Sequence, residues 1–398
     1  MDDVRTAAAS AMPDLLNSTL LAHKASNPQA SDAFVGQLKD FIYQPLLEQL
    51  RKEPDTETLA MLLDSWSEVI EYGGEVPASR LTAAQLTDSV QVAQELIRES
   101  LERRAARAKE QEEEDDEDEE GELEAEAERE EILIQNLVEC LGHLLKVYGS
   151  TLLPLFDAQL LPLFSTMLAP TAIATDRVAA LCIYDDIIEH CSGDGGSARY
   201  VQALTPQLLM YAVDPTAEVR QAAVYGLGVL AQCEMTGAFD ANTMRMAAER
   251  LLQVVEDPVA FSEEHASASD NAVSALGKLC KRSEEVGAAA LPRWLATLPL
   301  QTDKEEARAV HKLLVELVEG TSTALLGAGM ERVADVVVVF GQVLGTELVD
   351  DDVGARIGAL LKKIHSGLPH VLQALPSHPG FAKLSNEQKA ALEAAISS

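Results

Sequence analysis

Eight histidines and five cysteines are the residues from which a metal site or an activated nucleophile would be built, and their spacing builds neither. His190-Cys191 is the one place where the two types adjoin, and no second pair stands at a spacing that would complete four zinc ligands. G-x-S-x-G, H-E-x-x-H, Rossmann and kinase patterns are absent. The glycine-rich run Ser192-Gly193-Asp194-Gly195-Gly196-Ser197 follows a helical stretch and lacks the Lys-Ser/Thr of a phosphate loop, so it reads as a linker. No enzyme, metal or cofactor is expected. The remaining chemistry is that of polar contact. Asp185, Asp186 and Glu189 fall within about 100° of one another on a helical wheel, opposite Ile183, Tyr184, Ile187 and Ile188. Glu218, Gln221, Tyr225 and Gln232 form a second polar face, suited to hydrogen bonds and one aromatic contact. The third candidate is the acidic run Glu112, Glu113, Glu114, Asp115, Asp116, Glu117, Asp118, Glu119 and Glu120.

The partner these faces suit follows from charge. With 65 acidic and 31 basic residues the net charge is −34 over 398 residues. Phosphates would be repelled, which argues against nucleic acid, and a basic protein segment is the natural complement. No apolar run is long enough to span a bilayer, so no membrane partner is expected. Five cysteines without CxxC pairing point to a reducing compartment.

The elements that must position these faces are helices. Hydrophobic residues make up 47% and aromatics 4%, with Ala and Leu dominant, a balance for helices packed on helices. Asp214-Pro215 stops one helix, and Glu218 to Gln232 reads as the next. Ala222, Ala223, Gly226, Leu227, Leu230 and Cys233 form its apolar face. Arg220 falls among these small residues, where a charge needs a partner. It is expected to bridge to an acid in the neighbouring repeat's turn, Asp214 being one candidate, and so to lock adjacent repeats. The register recurs: Arg177 precedes Arg220 by 43 residues, and Ser274 follows Tyr225 by 49. That is the period of HEAT/armadillo helix pairs. The expected fold is therefore all-α, a HEAT-repeat α-solenoid, a superhelix of antiparallel pairs whose second helices line the concave side.

Taken in order, residues 1–109 read as repeats whose first helix has no partner before it, so the chain is expected to start inside a larger array. Phe34, Leu38, Phe41, Ile42 and Leu46 mark the core stripe of the next helix, and Trp66 packs in the core of its partner. Residues 110–131 read as an acidic disordered insertion, because a like-charge block repels itself and buries little apolar surface. The basic end of the helix before it, Arg103 to Lys109, answers those acids. Residues 132–398 resume the repeats. Pro162 is expected to kink a helix. The β-prone run Val336-Val337-Val338-Val339-Phe340 reads as a buried helix. A capping helix, Asn386 to Ile396, closes the chain behind Ser385-Asn386-Glu387-Gln388. About seven pairs are expected in all.

Three fragments carry a resemblance. Leu181-Cys182-Ile183-Tyr184-Asp185-Asp186-Ile187-Ile188-Glu189-His190-Cys191, the stretch Glu218 to Val229, and Leu291-Pro292-Arg293-Trp294-Leu295-Ala296-Thr297-Leu298-Pro299-Leu300 resemble the importin beta (karyopherin beta) family, in its importin-5 (importin beta-3) branch. The acidic run after a long charged helix, and Leu-Pro-Leu-Phe at Leu153–Phe156 and Leu161–Phe164, resemble it in order. The resemblance implies a nuclear import receptor, and the chain resembles its C-terminal part. Such a receptor binds basic cargo and localisation signals, meets FG nucleoporins at the pore, releases cargo to Ran-GTP, and shuttles between cytoplasm and nucleus. The principal Ran-GTP site of the family lies in repeats without counterpart here. Asp185, Asp186, Glu189, Glu218, Gln221, Tyr225 and Gln232 are the expected cargo-facing residues, with the acidic run as a further contact, in a protein expected to be monomeric. The alternative is a HEAT scaffold of another class, such as a phosphatase regulatory subunit.

Overall fold

The computed structural model describes residues 2–27, 29–113, 120–193, 195–233 and 239–397. These form helices and connecting turns, with no strand among the described residues. Many helix starts are fixed locally. The carboxylates of Asp55, Asp240 and Asp350 each accept the backbone N–H three residues on, at 2.7–2.8 Å, and Asp303 accepts from both Glu305 and Glu306. Each such cap stabilises its helix by about 1 kcal/mol. The expected reciprocal cap at the last helix is formed: Ser385 Oγ accepts from Gln388 N–H at 3.1 Å, and Gln388 Oε1 accepts from Ser385 N–H at 2.9 Å.

The chain divides into two compact units, Met1–Tyr200 and Val201–Ser398. In the first, α1 (Asp2–Lys24) packs on α2 (Asp32–Leu50) and α3 (Thr56–Gly74). After α4 (Ala83–Glu113), α5 (Glu120–Tyr148) packs on α3, and α8 (Ala174–Cys191) packs on α5. Helices α1, α3, α5 and α8 thus stack in succession, as second helices of HEAT pairs do. Between α5 and α8 the outer helix is broken into α6 (Leu153–Leu155), a widened π turn (Phe156–Leu160) and α7 (Leu161–Met167). Pro162 lies in the first turn of α7. Its ring would meet the carbonyl of Ala158 in a continuous helix, and the wide turn ahead of it relieves that clash.

The second unit opens in α9 (Ala198–Tyr211) and α10 (Ala217–Gln232). It continues through α11 (Ala241–Val255), α12 (Ala266–Arg282), α13 (Glu284–Ala296), α14 (Lys304–Glu319), α15 (Thr323–Leu326) and α16 (Val333–Val343). It closes with α17 (Asp351–Gly367), α18 (Pro369–Ala374), α19 (Pro379–Ala382) and α20 (Asn386–Ser397). Here α10, α12, α14, α17 and α20 stack in succession. The valine run is buried in α16, as expected, and Trp66 and Trp294 are wholly buried. The architecture is a HEAT-repeat α-solenoid.

Two expectations need correction. Phe34 and Phe41 are exposed, while Ile42 and Leu46 are buried. The buried stripe of α2 runs through Val35, Lys39, Ile42, Leu46 and Leu50, and one residue of offset, about 100°, turns both phenylalanines outward. The segment expected to be a disordered insertion is helical at both ends, through Glu113 and again from Glu120. Charge pairing between the flanks stabilises this. Arg103 and Arg107 of α4 meet the buried Glu130 of α5 at 2.6 and 2.8 Å, and Arg107 also meets Glu126 at 3.3 Å. The basic end of α4 does answer the acids, but from within a helix pair. The compact units part at Tyr200 and not at the acidic run.

Candidate functional site

The α8 stripe is graded in depth. Glu189 is exposed, Asp186 is half-buried, and Asp185 is 2% exposed, with neither carboxylate oxygen hydrogen-bonded. Asp185 was expected on the ligand-facing surface and is instead interior, because its place on the wheel lies at the edge of the apolar face, where packing closes over it. Burial, with Asp186 and Glu189 beside it, pushes its carboxyl well above the ordinary carboxylate range. Asp186 points at α5. A Cβ on Gly142 would lie 2.6 Å from Asp186 Oδ2, so glycine leaves room for the carboxylate in its present position against α5. Burial, then the charge of Glu189, push the Asp186 carboxyl up to about 7. The Cys182 thiol on the same stripe is pushed up to about 12 by burial and the two aspartates, which leaves it unreactive.

The acidic character continues along the stack. Burial raises the Glu68 carboxyl of α3, and Asp64, Asp14, Glu71 and Glu139 add to the effect. These carboxylates come from α1, α3 and α5 and share one surface. Cations answer only some of them. Lys146 Nζ meets Glu71 at 3.1 Å and Lys24 pairs with Glu75. His143 Nδ1 lies 2.8 Å from Ser67 Oγ. Asp14, Asp64, Glu68 and Glu139 make no ion pair among the described residues. The sequence reading missed Asp64, Glu68 and Glu139. Registering α3 and α5 on α8, one repeat at a time, is the signal that would have found them.

On α10 the second polar face is placed as expected: Glu218, Tyr225 and Gln232 are exposed and Gln221 half-buried, while Ala222, Ala223, Gly226, Leu227 and Leu230 are buried. Arg220 bonds differently from expectation. Its Nη1 donates to the carbonyl oxygens of Asp214 and Pro215 at 2.7 and 3.0 Å, and its Nη2 donates to His265 Nδ1 at 3.1 Å. Guanidinium is donor-only, so His265 accepts through an unprotonated Nδ1. The Asp214 carboxylate accepts the Thr216 N–H at 2.9 Å, holding the turn that aims its own carbonyl at Arg220. Arg220 therefore ties the turn before α10 to His265 in the next repeat. The two faces, on α8 and α10, belong to different units. Of the acidic run, residues 114–119 lie outside the described residues, and Glu112, Glu113 and Glu120 are placed as helix ends only. Among the described residues no cluster of His, Cys, Asp and Glu is arranged to hold a metal ion, and no helix is long and apolar enough to cross a membrane.

Stacked helix pairs with polar inner faces define a HEAT-repeat protein, and residues 204–233 match the HEAT repeat model. Residues 58–170 match the model for importin repeat 6. Importin subunit beta-3 of Saccharomyces cerevisiae is 28% identical over 200 residues, covering 48% of this chain and 17% of that protein. Over these stretches the chain is similar to importin beta-3 and to the importin repeat. Crystal structures of Kap121p share the fold. The form bound to RanGTP matches 99% of this chain and 33% of its own length, at 21% identity and a TM-score of 0.73. The form bound to the SUMO protease Ulp1p matches 99% and 33%, at 22% identity and a TM-score of 0.74. The form bound to Nup53p matches 99% and 33%, at 21% identity and a TM-score of 0.73. The chain spans about a third of the length of these structures.

Proposed function

We propose that this chain is part of a nuclear import receptor and that the acidic face of α3, α5 and α8 binds basic segments of cargo proteins. The observation that carries the reading is electrostatic. Glu68 and Asp186 are held above their ordinary carboxylate range by burial and by neighbouring carboxylates, on a surface short of cations. A lysine or arginine side chain laid along it supplies the missing charge. The relation to importin beta-3 supports a transport receptor over a phosphatase-type scaffold or an enzyme, and supports shuttling between cytoplasm and nucleus. Kap121p in complex with RanGTP and with Nup53p makes Ran-GTP and FG nucleoporins the further partners we assign to the whole receptor. Glu218, Gln221, Tyr225 and Gln232 remain the proposed cargo contacts on α10, and the acidic run a further one.

Fluorescence anisotropy with a lysine-rich localisation-signal peptide tests the reading. Binding should weaken from 50 to 300 mM salt, since exposed charges are screened over about 8–10 Å at physiological ionic strength. The pair Glu68→Lys and Glu139→Lys should lower affinity at least tenfold. Binding that ignores both salt and the double variant would overturn it.

A further inference from the structure

The second unit carries a surface of the opposite sign. A groove of about 430 Å³ runs across α10, α12 and α14. Val310 and Leu313 form an apolar floor, and Gln232, Lys278, Lys281 and Lys312 stand at its walls. Arg282 also lines it but is committed to structure: its Nη1 donates to the carbonyls of Leu230 and Ala231, at 2.9 and 3.1 Å, at the end of α10. Lys281 meets Glu316 at 2.8 Å. Position at a helix C-terminus explains Lys281 and Arg282, since cations there complement the dipole. It does not explain Lys312, which stands in the middle of α14. Lys278 lies over the Tyr225 ring at 5.9 Å. Neither Lys278 nor Lys312 has a carboxylate within ion-pair distance among the described residues. In a chain where acids outnumber bases 65 to 31, cations left unanswered beside an apolar floor are a specific arrangement.

We propose that this groove docks an acidic, extended segment of a partner protein, with carboxylates at Lys278 and Lys312 and one apolar side chain on Val310 and Leu313. The occupant's chemistry follows from charge complementarity. Nucleic acid offers the same sign but would approach a chain of net charge −34, whereas a short peptide with interspersed apolar residues gains from the floor as well as the lysines. The site is independent of the acidic face of α3, α5 and α8, which lies in the other unit and has the other sign, but it competes with the α10 cargo contacts for Tyr225 and Gln232.

The test uses the full chain and a fluorescein-labelled synthetic peptide in which Glu and Asp alternate with Leu. Saturable binding is expected. Lys278→Ala with Lys312→Ala should weaken it at least tenfold, and exposed Lys312→Ala alone should weaken it without moving the melting midpoint. Glu68→Lys with Glu139→Lys should leave peptide affinity unchanged. A peptide with Ser in place of Leu should bind several-fold more weakly. Absence of binding, or equal binding to the lysine variant, overturns the proposal. So does equal competition by a single-stranded oligonucleotide of the same charge, which would make the surface a general anion site. If the peptide binds only after residues 112–120 are replaced by Gly and Ser, the chain's own acidic run is the occupant, and the partner assignment falls.

Discussion

Replacing Asp186 by Asn should stabilise the protein, and only at the right pH. The Asp186 carboxyl is raised from its ordinary 3.8 to about 7, first by burial and then by Glu189. The folded state therefore holds a proton that the unfolded chain has lost between those two values. Stability falls as pH rises through that window, and the whole penalty is present above about pH 7. A rise of this size, at about 1.36 kcal/mol per tenfold, corresponds to at most roughly 4 kcal/mol. Asn is nearly isosteric with the protonated acid and does not titrate, so the gap against Gly142 is kept. Urea unfolding followed by circular dichroism should show little difference between the two proteins near pH 4. The variant should become the more stable by a few kcal/mol at pH 8. A difference that does not change with pH, or a variant less stable throughout, refutes the reasoning. Glu189 on its own helix is the charge that acts on Asp186, Gly142 of α5 packs against its carboxylate, and Asp185 and Cys182 are the neighbouring groups it influences in turn. The same proton links to binding. A cationic peptide favours the charged carboxylate, so its affinity for the native protein should rise from pH 6 to pH 8, and that rise should shrink in Asp186→Asn.

The other expectations concern stability. Arg220→Ala removes two charge-assisted bonds to carbonyls and should cost about 2–4 kcal/mol. An unchanged melting midpoint would show that the tie to Asp214, Pro215 and His265 holds nothing. Glu130→Ala removes the buried acid that Arg103, Arg107 and Ser100 bond, while Arg107 keeps Glu126, and should cost about 2–3 kcal/mol, read by thermal melting. Burial raises the Glu130 carboxyl, but Arg103, Ser100 and Arg107 outweigh it and hold it below its ordinary 4.5. Its contribution is therefore present above pH 4.5 and lost as pH falls below that value, so wild type and variant should converge in acid. Gly277→Ala puts a methyl 2.8 Å from Leu313 Cδ2 and 3.0 Å from Trp294 Nε1. That overpacking should cost about 1–3 kcal/mol in a denaturant titration, with no loss if α12 and α14 can part.

Turns, caps and the repeat period were legible in the sequence; the exact buried stripe of a helix such as α2, and relations between helices, were not. The spacing of Arg177 and Arg220, the Asp214-Pro215 turn and the Ser385–Gln388 cap are local signals, and each landed where it was read. Pro162 announced a break, but the widened turn from Phe156 to Leu160 is the backbone's response and has no signature of its own. A wheel gives the angle of Asp185 relative to its own helix. Whether that angle meets solvent depends on what stacks beside it, so an acid read as ligand-facing is a buried one. Arg220 shows the same limit from the other side. Its need for a partner was visible from the small residues around it. That the partners are two carbonyls and a histidine depends on the path of the turn.

The sign of a surface was the least legible property. A net charge of −34 reads as one acidic molecule, and the α8 stripe agrees with it. The groove at Lys278, Lys281 and Lys312 joins residues up to 34 positions apart on helices that stack only after folding. In any one window the lysines are diluted by acids such as Glu305, Glu306 and Glu316. Stacking sorts them, because successive second helices put the same register on the same side. A helix-pair array can thus carry faces of either sign while its overall charge changes little, and each face must be read from the stack. The α10 face belongs to this second case. Glu218 and Gln221 alone look like the start of another acidic surface, but Tyr225 sits under Lys278, and Gln232 opens into the lysine groove. If Tyr225→Ala weakens the acidic peptide and leaves the basic one unaffected, this end of α10 belongs to the groove. The reverse result would return it to the basic-segment surface.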